Sequence, residues 1–225
     1  MGDAIGQVLS FGVGVALSPI PIIGVVLMLG TPQARANGLA FIVGWIFGLA
    51  VVGTIVLLLA SGAGASSSGA PADWLSVVKL ALGVLLVIVA VRQWHARPHG
   101  SAEPKLPGWM KTIDTFTPPK AAGMAVLLSA VNPKNLLLVV GAAAAIAQTG
   151  ASTVDQAVAL LVFVLLGTLG PGIPVAIYFL MRERATAVLE GMRGWMAREN
   201  ATIMAVLCTI IGAKLVGDAI SGLTT

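Results

Sequence analysis

Six apolar runs shape this chain, and each approaches the roughly 20 residues that a helix needs to cross a hydrocarbon layer. Inside a bilayer every backbone N–H and C=O must be satisfied by the protein itself, so runs of this kind become helices. The expected spans are Ile5 to Leu29, Leu39 to Ala60, Trp74 to Val91, Ala121 to Ala147, Val154 to Met181 and Ala201 to Leu223. Two of them, the first and the fourth, are broken near their middles. The breaks are Ser18-Pro19-Ile20-Pro21 and Val131-Asn132-Pro133-Lys134-Asn135. Gly14 to Pro19 resembles Met124 to Ser129 with Pro133 close behind, and each break continues into another apolar stretch. One unit used twice, each time as a proline-broken helix at mid-depth, points to a transport site.

The charge content supports a membrane reading. Charged residues make up 10% of the chain and hydrophobic ones 57%, where soluble domains carry roughly 25% charged residues. The expected class is therefore an all-α polytopic membrane protein. The net charge of +4 does not point to nucleic acid, because the basic residues lie between apolar runs. The connection between spans one and two carries Arg35. The one between spans three and four carries Arg92, Arg97, Lys105, Lys111 and Lys120. The one between spans five and six carries Arg182, Arg184, Arg193 and Arg198. By the positive-inside rule these ends are cytoplasmic and both termini are extracytoplasmic. Six spans then divide into two halves of three that enter the membrane from opposite sides, an inverted repeat. The halves are residues 1–97 and 120–225. Residues 98–119 form a cytoplasmic connection in which Trp109, Met110, Ile113 and Phe116 recur at the spacing of a short interfacial helix. Ser61 to Asp73 reads as a flexible Gly/Ala/Ser loop. Arg182 to Glu199 reads as an amphipathic stretch with Val188, Met192, Trp195 and Met196 on one face. No cleavable signal peptide or myristoylation signal is expected at the start of the sequence.

Candidate binding residues cluster at the breaks. Proline frees a carbonyl one turn earlier. At Ser18, Pro19 and Pro21 the freed backbone either faces a substrate or is satisfied by the serine. The second break adds Asn132, Pro133, Lys134 and Asn135. An intramembrane lysine is costly unless paired or hydrated, which makes it a site candidate by default. Lys134 suits a phosphate, sulfate or carboxylate. The alternatives are snorkelling to the cytoplasmic face or pairing with a backbone carbonyl. Lys214 and Asp218, four residues apart, share a helix face. With Lys79 they either line an outer vestibule or anchor helix ends. Gly167, Gly170, Pro171, Gly172 and Pro174 are expected to interrupt span five, for close packing or as a hinge. Gly44 and Gly48 form a GxxxG spacing that admits a close neighbour.

Enzyme signatures are absent: the sequence holds no HExxH, no P-loop and no Cys-x-x-Cys, and Cys208 is the single cysteine. His95 and His99 read as interfacial residues rather than metal ligands. No metal or cofactor is called for.

These residues carry a family resemblance. Ser18-Pro19-x-Pro21, Arg35-Ala36-x-Gly38, Gly44-Trp45, Pro107-x-Trp109-Met110, Asn132-Pro133-Lys134-Asn135-Leu136, Arg193-x-Trp195 with Asn200, and Gly212 followed by Gly217 are spread over nearly the whole chain. They resemble the GAP family, the peptidoglycolipid-addressing or sulfolipid-addressing (Sap) proteins of mycobacteria and relatives, within the LysE transporter superfamily. The resemblance implies an inner-membrane protein of two inverted three-helix halves, with dimers common in the wider superfamily. It also implies movement of glycolipids or other lipid-linked envelope saccharides toward the cell surface. A flippase-like transporter is therefore expected. A LysE-type exporter of an amino acid or cation, and an accessory scaffold for a larger lipid exporter, are the alternatives. A lateral slot open to the bilayer would favour a lipid, and a closed polar cavity a solute.

Overall fold

The computed structural model describes residues 2–62, 73–97 and 107–224. The expected Gly/Ala/Ser loop therefore lies largely outside the described residues, as do Lys105 and His99. Among the described residues eight α-helices form the bundle: α1 (Gly2–Ala16), α2 (Pro19–Leu29), α3 (Ala34–Gly62), α4 (Asp73–His95), α5 (Pro118–Val126), α6 (Pro133–Gln148), α7 (Thr153–Met181) and α8 (Ala185–Thr224). Among the described residues four helices are long and apolar enough to cross a membrane. Two bent pairs make six spans if each pair is one: α1 with α2, bent by 51°, and α5 with α6, bent by 60°.

Prolines account for both bends. Pro19 and Pro133 each open the second helix of their pair, where a missing N–H removes nothing the helix would use. The first helix of the second pair winds into a π-helical turn, Leu127–Val131, before the bend. At its far end α6 stops at Thr149, and Gly150 follows with a φ of 61°, a left-handed position that glycine takes without a Cβ penalty.

Directions of packing follow from the contacts. Gly12 lies against Leu166, and Gly170 against the Ala16 carbonyl, so α1 and α7 run parallel. Gly44 meets the Ala122 backbone and Gly48 meets Val126 and Ser129, so α3 runs parallel to the broken α5–α6 span. Gly83 and Gly212 bring α4 and α8 together backbone to backbone, antiparallel. Six alternating spans require these directions. The GxxxG spacing of α3 thus serves the close approach expected of it.

Three expectations need correction. Helix α7 is not interrupted at Gly167 to Pro174: it runs unbroken from Thr153 to Met181 with Pro171 and Pro174 inside it. Pro171 cannot donate to the Gly167 carbonyl, but the Trp45 indole N–H donates to that oxygen at 3.2 Å. The orphaned acceptor is satisfied from a neighbouring helix, so the helix need not open. The amphipathic stretch and the sixth span are one 40-residue helix, α8, about 60 Å long at 1.5 Å per residue. That is about twice the hydrocarbon thickness, so the charged first part continues outward from the span. Its buried row is Ala185, Leu189 and Met196, while Val188 and Trp195 face outward. Lastly, Trp109 to Phe116 does not form an interfacial α-helix. Gly108–Thr115 is a 3-10 helix whose Met110 and Ile113 are buried with Phe116 in the core, and the Trp109 ring packs on Gly24 of α2.

Candidate functional site

The two breaks touch. At the first, the Ser18 amide turns back to the Val15 carbonyl at 3.2 Å, leaving the Gly14 carbonyl without its usual intrahelical donor. Lys134 fills that vacancy from the other broken span: its ammonium donates to the Gly14 carbonyl at 2.7 Å and to Ser18 Oγ at 2.6 Å. Ser18 Oγ in turn donates to Asn135 Oδ1 at 2.9 Å. Asn135 Nδ2 donates to the Leu128 carbonyl at 2.9 Å. That oxygen is free because the Asn132 amide, in the π-helical turn, reaches past it to Leu127. Every polar group in this chain of bonds is buried: Ser18 is 4% exposed, Lys134 5% and Asn135 0%.

Lys134 therefore does not snorkel to a surface. It pairs with a backbone carbonyl and a hydroxyl, and no carboxylate lies among its hydrogen-bond partners. A buried ammonium without a counter-ion is an expensive arrangement. Asn132 stands apart from this cluster. Its Oδ1 accepts from the Lys134 amide at 3.1 Å and caps α6, so its side chain holds the break rather than facing the lysine head. Pro133 is exposed and Pro19 and Pro21 are buried; all three shape the backbone.

An apolar groove of about 290 Å³ opens beside the first break, between α1, α2, α7 and α8. Leu17 and Ile22 flank the break within it, and Ile173, Met192 and Met196 complete it. Val13, Leu17, Leu169 and Ile173 are about half exposed, so the groove opens sideways, where the hydrocarbon of a bilayer would lie. Gly170 lies in its wall.

A second polar cluster gathers Lys79 of α4, Lys214 and Asp218 of α8, and Gln7 of α1. Lys214 Nζ donates to Asp218 Oδ2 at 2.6 Å and to Gln7 Oε1 at 3.0 Å. Lys79 is buried at 5% exposure and lies within the field of both Asp218 and Lys214.

Sequence reasoning missed Gly14 and Gln7. A signal for both was present: residues 7, 11, 14 and 18 fall on one stripe of a 3.6-residue helix, so the face of α1 that leads to Ser18 also carries Gln7.

Bent helix pairs that meet at a buried lysine, in an all-helical bundle of long apolar helices, define a multi-pass membrane protein with a polar centre in its interior. The model of the family described as Sap, sulfolipid-1-addressing protein, matches residues 8–221. The chain belongs to that family. No curated protein and no solved structure matches it.

Proposed function

We propose that this protein is a transporter, flippase-like in action, for a lipid-linked envelope glycoconjugate with an anionic head group. The observation that carries the reading is Lys134: a buried cation between two broken helices, held by a carbonyl and a hydroxyl that a head-group oxyanion would replace. An oxyanion offers an ammonium a stronger, charge-assisted bond than either neutral acceptor. The tail of such a lipid would stay in the lateral groove along Leu17, Leu169 and Ile173, which is where a lipid cargo, rather than a small solute, needs an opening. The family's name supports a sulfated lipid as the cargo class.

The packing also supports two inverted halves. Exchanging span one with four, two with five and three with six turns the α1–α7 contact into the contact between α5–α6 and α3. The same exchange maps α4–α8 onto itself. Gly170 against Ala16 and Gly44 against Ala122 are then close approaches of the same kind, a glycine against the backbone of a broken helix, one in each of the two exchanged contacts. Halves of this kind rock against each other in alternating access. With the basic connections on the cytoplasmic side of the inner membrane, cargo would move from there outward.

The test uses proteoliposomes holding the purified protein and a fluorescent sulfated glycolipid, with a membrane-impermeant quencher reporting the outer leaflet. The wild-type chain should equilibrate the lipid between leaflets. Lys134→Ala, recovered at normal levels, should slow this at least about tenfold, the equivalent of one charge-assisted bond. Equal rates would remove Lys134 from the path.

A further inference from the structure

The cluster of Lys79, Lys214, Asp218 and Gln7 is not explained by a site confined to the two breaks. Its charges do not balance. Asp218 pairs with Lys214, which leaves Lys79, buried at 5% exposure, without a carboxylate of its own. Among the described residues Lys79 donates no hydrogen bond, although an ammonium carries three donors. Ser76, one turn before it and 1% exposed, has a hydroxyl with no hydrogen-bond partner. Residues 76, 79 and 83 share a face of α4, and Gly83 sits on Gly212 and Val216 of α8. The lone hydroxyl and the lone ammonium are therefore on the side of α4 that meets α8. Lys214 and Asp218 are about 30% exposed at their side chains, 29% and 31%, so the cluster is accessible from outside while Lys79 lies beneath.

The cluster also stands in line with Lys134. Gln7 and Gly14 are seven residues apart on α1, about 10 Å along the helix axis. Phe11 lies between them on the same face. Its ring packs on Gly141 of α6, and Lys214 Nζ is 5.6 Å from its centre. A cation at each level, with one buried aromatic ring between, is the arrangement of two successive stations on one path.

We propose that Lys79 and Lys214, with the Ser76 hydroxyl and the Gln7 side chain, form a second oxyanion-binding station, the next stop beyond Lys134. Its ligand is a sulfate or phosphate group, either on a lipid head or free. Asp218 occupies Lys214 when the station is empty and competes with the incoming anion. The inference rests on the transport reading for its place in a sequence, but the station itself is tested by binding alone.

The experiment measures anion-dependent thermal stabilisation of the full-length protein in detergent. The background is Lys134→Gln, so that the first site is silent. Sodium sulfate and sodium phosphate are titrated against sodium chloride at matched ionic strength. A second arm titrates sulfogalactosylceramide against galactosylceramide in mixed micelles. Saturable stabilisation should appear in at least one arm. Lys79→Gln should weaken it about tenfold, the loss of one charge-assisted bond, and Lys214→Arg should retain it. Asp218→Asn should tighten binding several-fold, because the competitor is gone. A merely structural ion pair predicts the opposite: Asp218→Asn would lower stability and leave any anion response unchanged. Response to the sulfated lipid over the neutral one assigns the ligand to a head group, and response to the inorganic anions alone assigns it to a free oxyanion; either upholds the station. No saturable response in either arm, or an Asp218→Asn variant that binds no better than its parent, overturns it. Because leaflet exchange is not measured, failure here leaves the Lys134 result standing, and failure of Lys134→Ala to slow exchange leaves this one standing.

Discussion

The two breaks are opened by the same means and closed differently. In each, a proline starts the second half-helix and a carbonyl about one turn upstream loses its amide. At the second break the stranded Leu128 carbonyl is satisfied by Asn135 of the same broken span. At the first, the stranded Gly14 carbonyl is satisfied only from across the interface, by Lys134. The second break is self-contained and the first is completed by its partner. The ammonium that a cargo would borrow under the proposed function is thus the same group that closes the first break, so binding a head group would also loosen α1 from α6.

This difference is most directly broken by comparing Lys134→Met with Ser18→Ala. Methionine keeps the length of the side chain and removes a buried charge that no carboxylate compensates. Leaflet exchange of a sulfated lipid should fall at least about tenfold, while thermal stability holds within about 1 kcal/mol, because the penalty relieved by removing a buried charge offsets the cost of leaving the Gly14 carbonyl unpaired. Ser18→Ala leaves the cation in place and removes one neutral partner. Its effect on exchange should be about fivefold, near 1 kcal/mol. Equal losses in the two variants would mean that the breaks contribute alike.

The next comparison is between the α1–α7 and the α3–α5 contacts. A Cβ at Gly44 would strike the Ala122 carbonyl, and one at Gly170 the Ala16 carbonyl. Neither obstacle is a flexible side-chain end, so the helices must separate. Gly44→Val and Gly170→Val should each lower unfolding stability in detergent by about 1–3 kcal/mol, and by similar amounts. A large loss for one and none for the other would mean that the two contacts are not packed alike.

Proline alone does not decide where a span breaks, and α7 shows what the sequence leaves out. Pro19, Pro133 and Pro171 all sit inside apolar runs, and reading them alike predicts three interruptions. Only the first two occur. At Pro171 the stranded Gly167 carbonyl meets the Trp45 N–H, a partner 122 positions away that no local pattern announces. Trp45→Phe, which keeps the ring and removes the donor, should cost about 1–3 kcal/mol as a buried acceptor is left unpaired. Accelerated amide exchange around Gly167 would accompany the loss. Unchanged stability would mean the proline is tolerated for another reason. The same limit explains other misses. The six apolar runs, the two breaks and the lysine in the second break are properties of local sequence and were legible. Lys214 with Asp218 was legible from a spacing of four. Their assembly with Lys79 and Gln7 depends on which helix faces which, although the stripe 7, 11, 14, 18 on α1 marked one of those faces. The join of the amphipathic stretch to span six was hidden because Glu199 and Asn200 look like a boundary, yet a helix can carry polar residues where it leaves the membrane.

The smallest expected effect separates scaffolding from cargo contact within the second break itself. Lys134 and Asn135 are buried and aimed at the first break, whereas Asn132 is half-buried and its oxygen is committed to the Lys134 amide. An N-cap is worth about 1 kcal/mol, and Pro133 already fixes the first helical residue, so α6 should still start where it does. Asn132→Ala is therefore expected to lower stability by about 1 kcal/mol and to change leaflet exchange less than about twofold. It should also leave the preference for a sulfated over a neutral glycolipid intact. Asn132→Asp keeps the cap acceptor and should recover the stability. If Asn132→Ala instead erased the preference for the sulfated lipid at unchanged stability, the asparagine would belong with Lys134 as a cargo ligand. The second break would then bind through both sides of its turn.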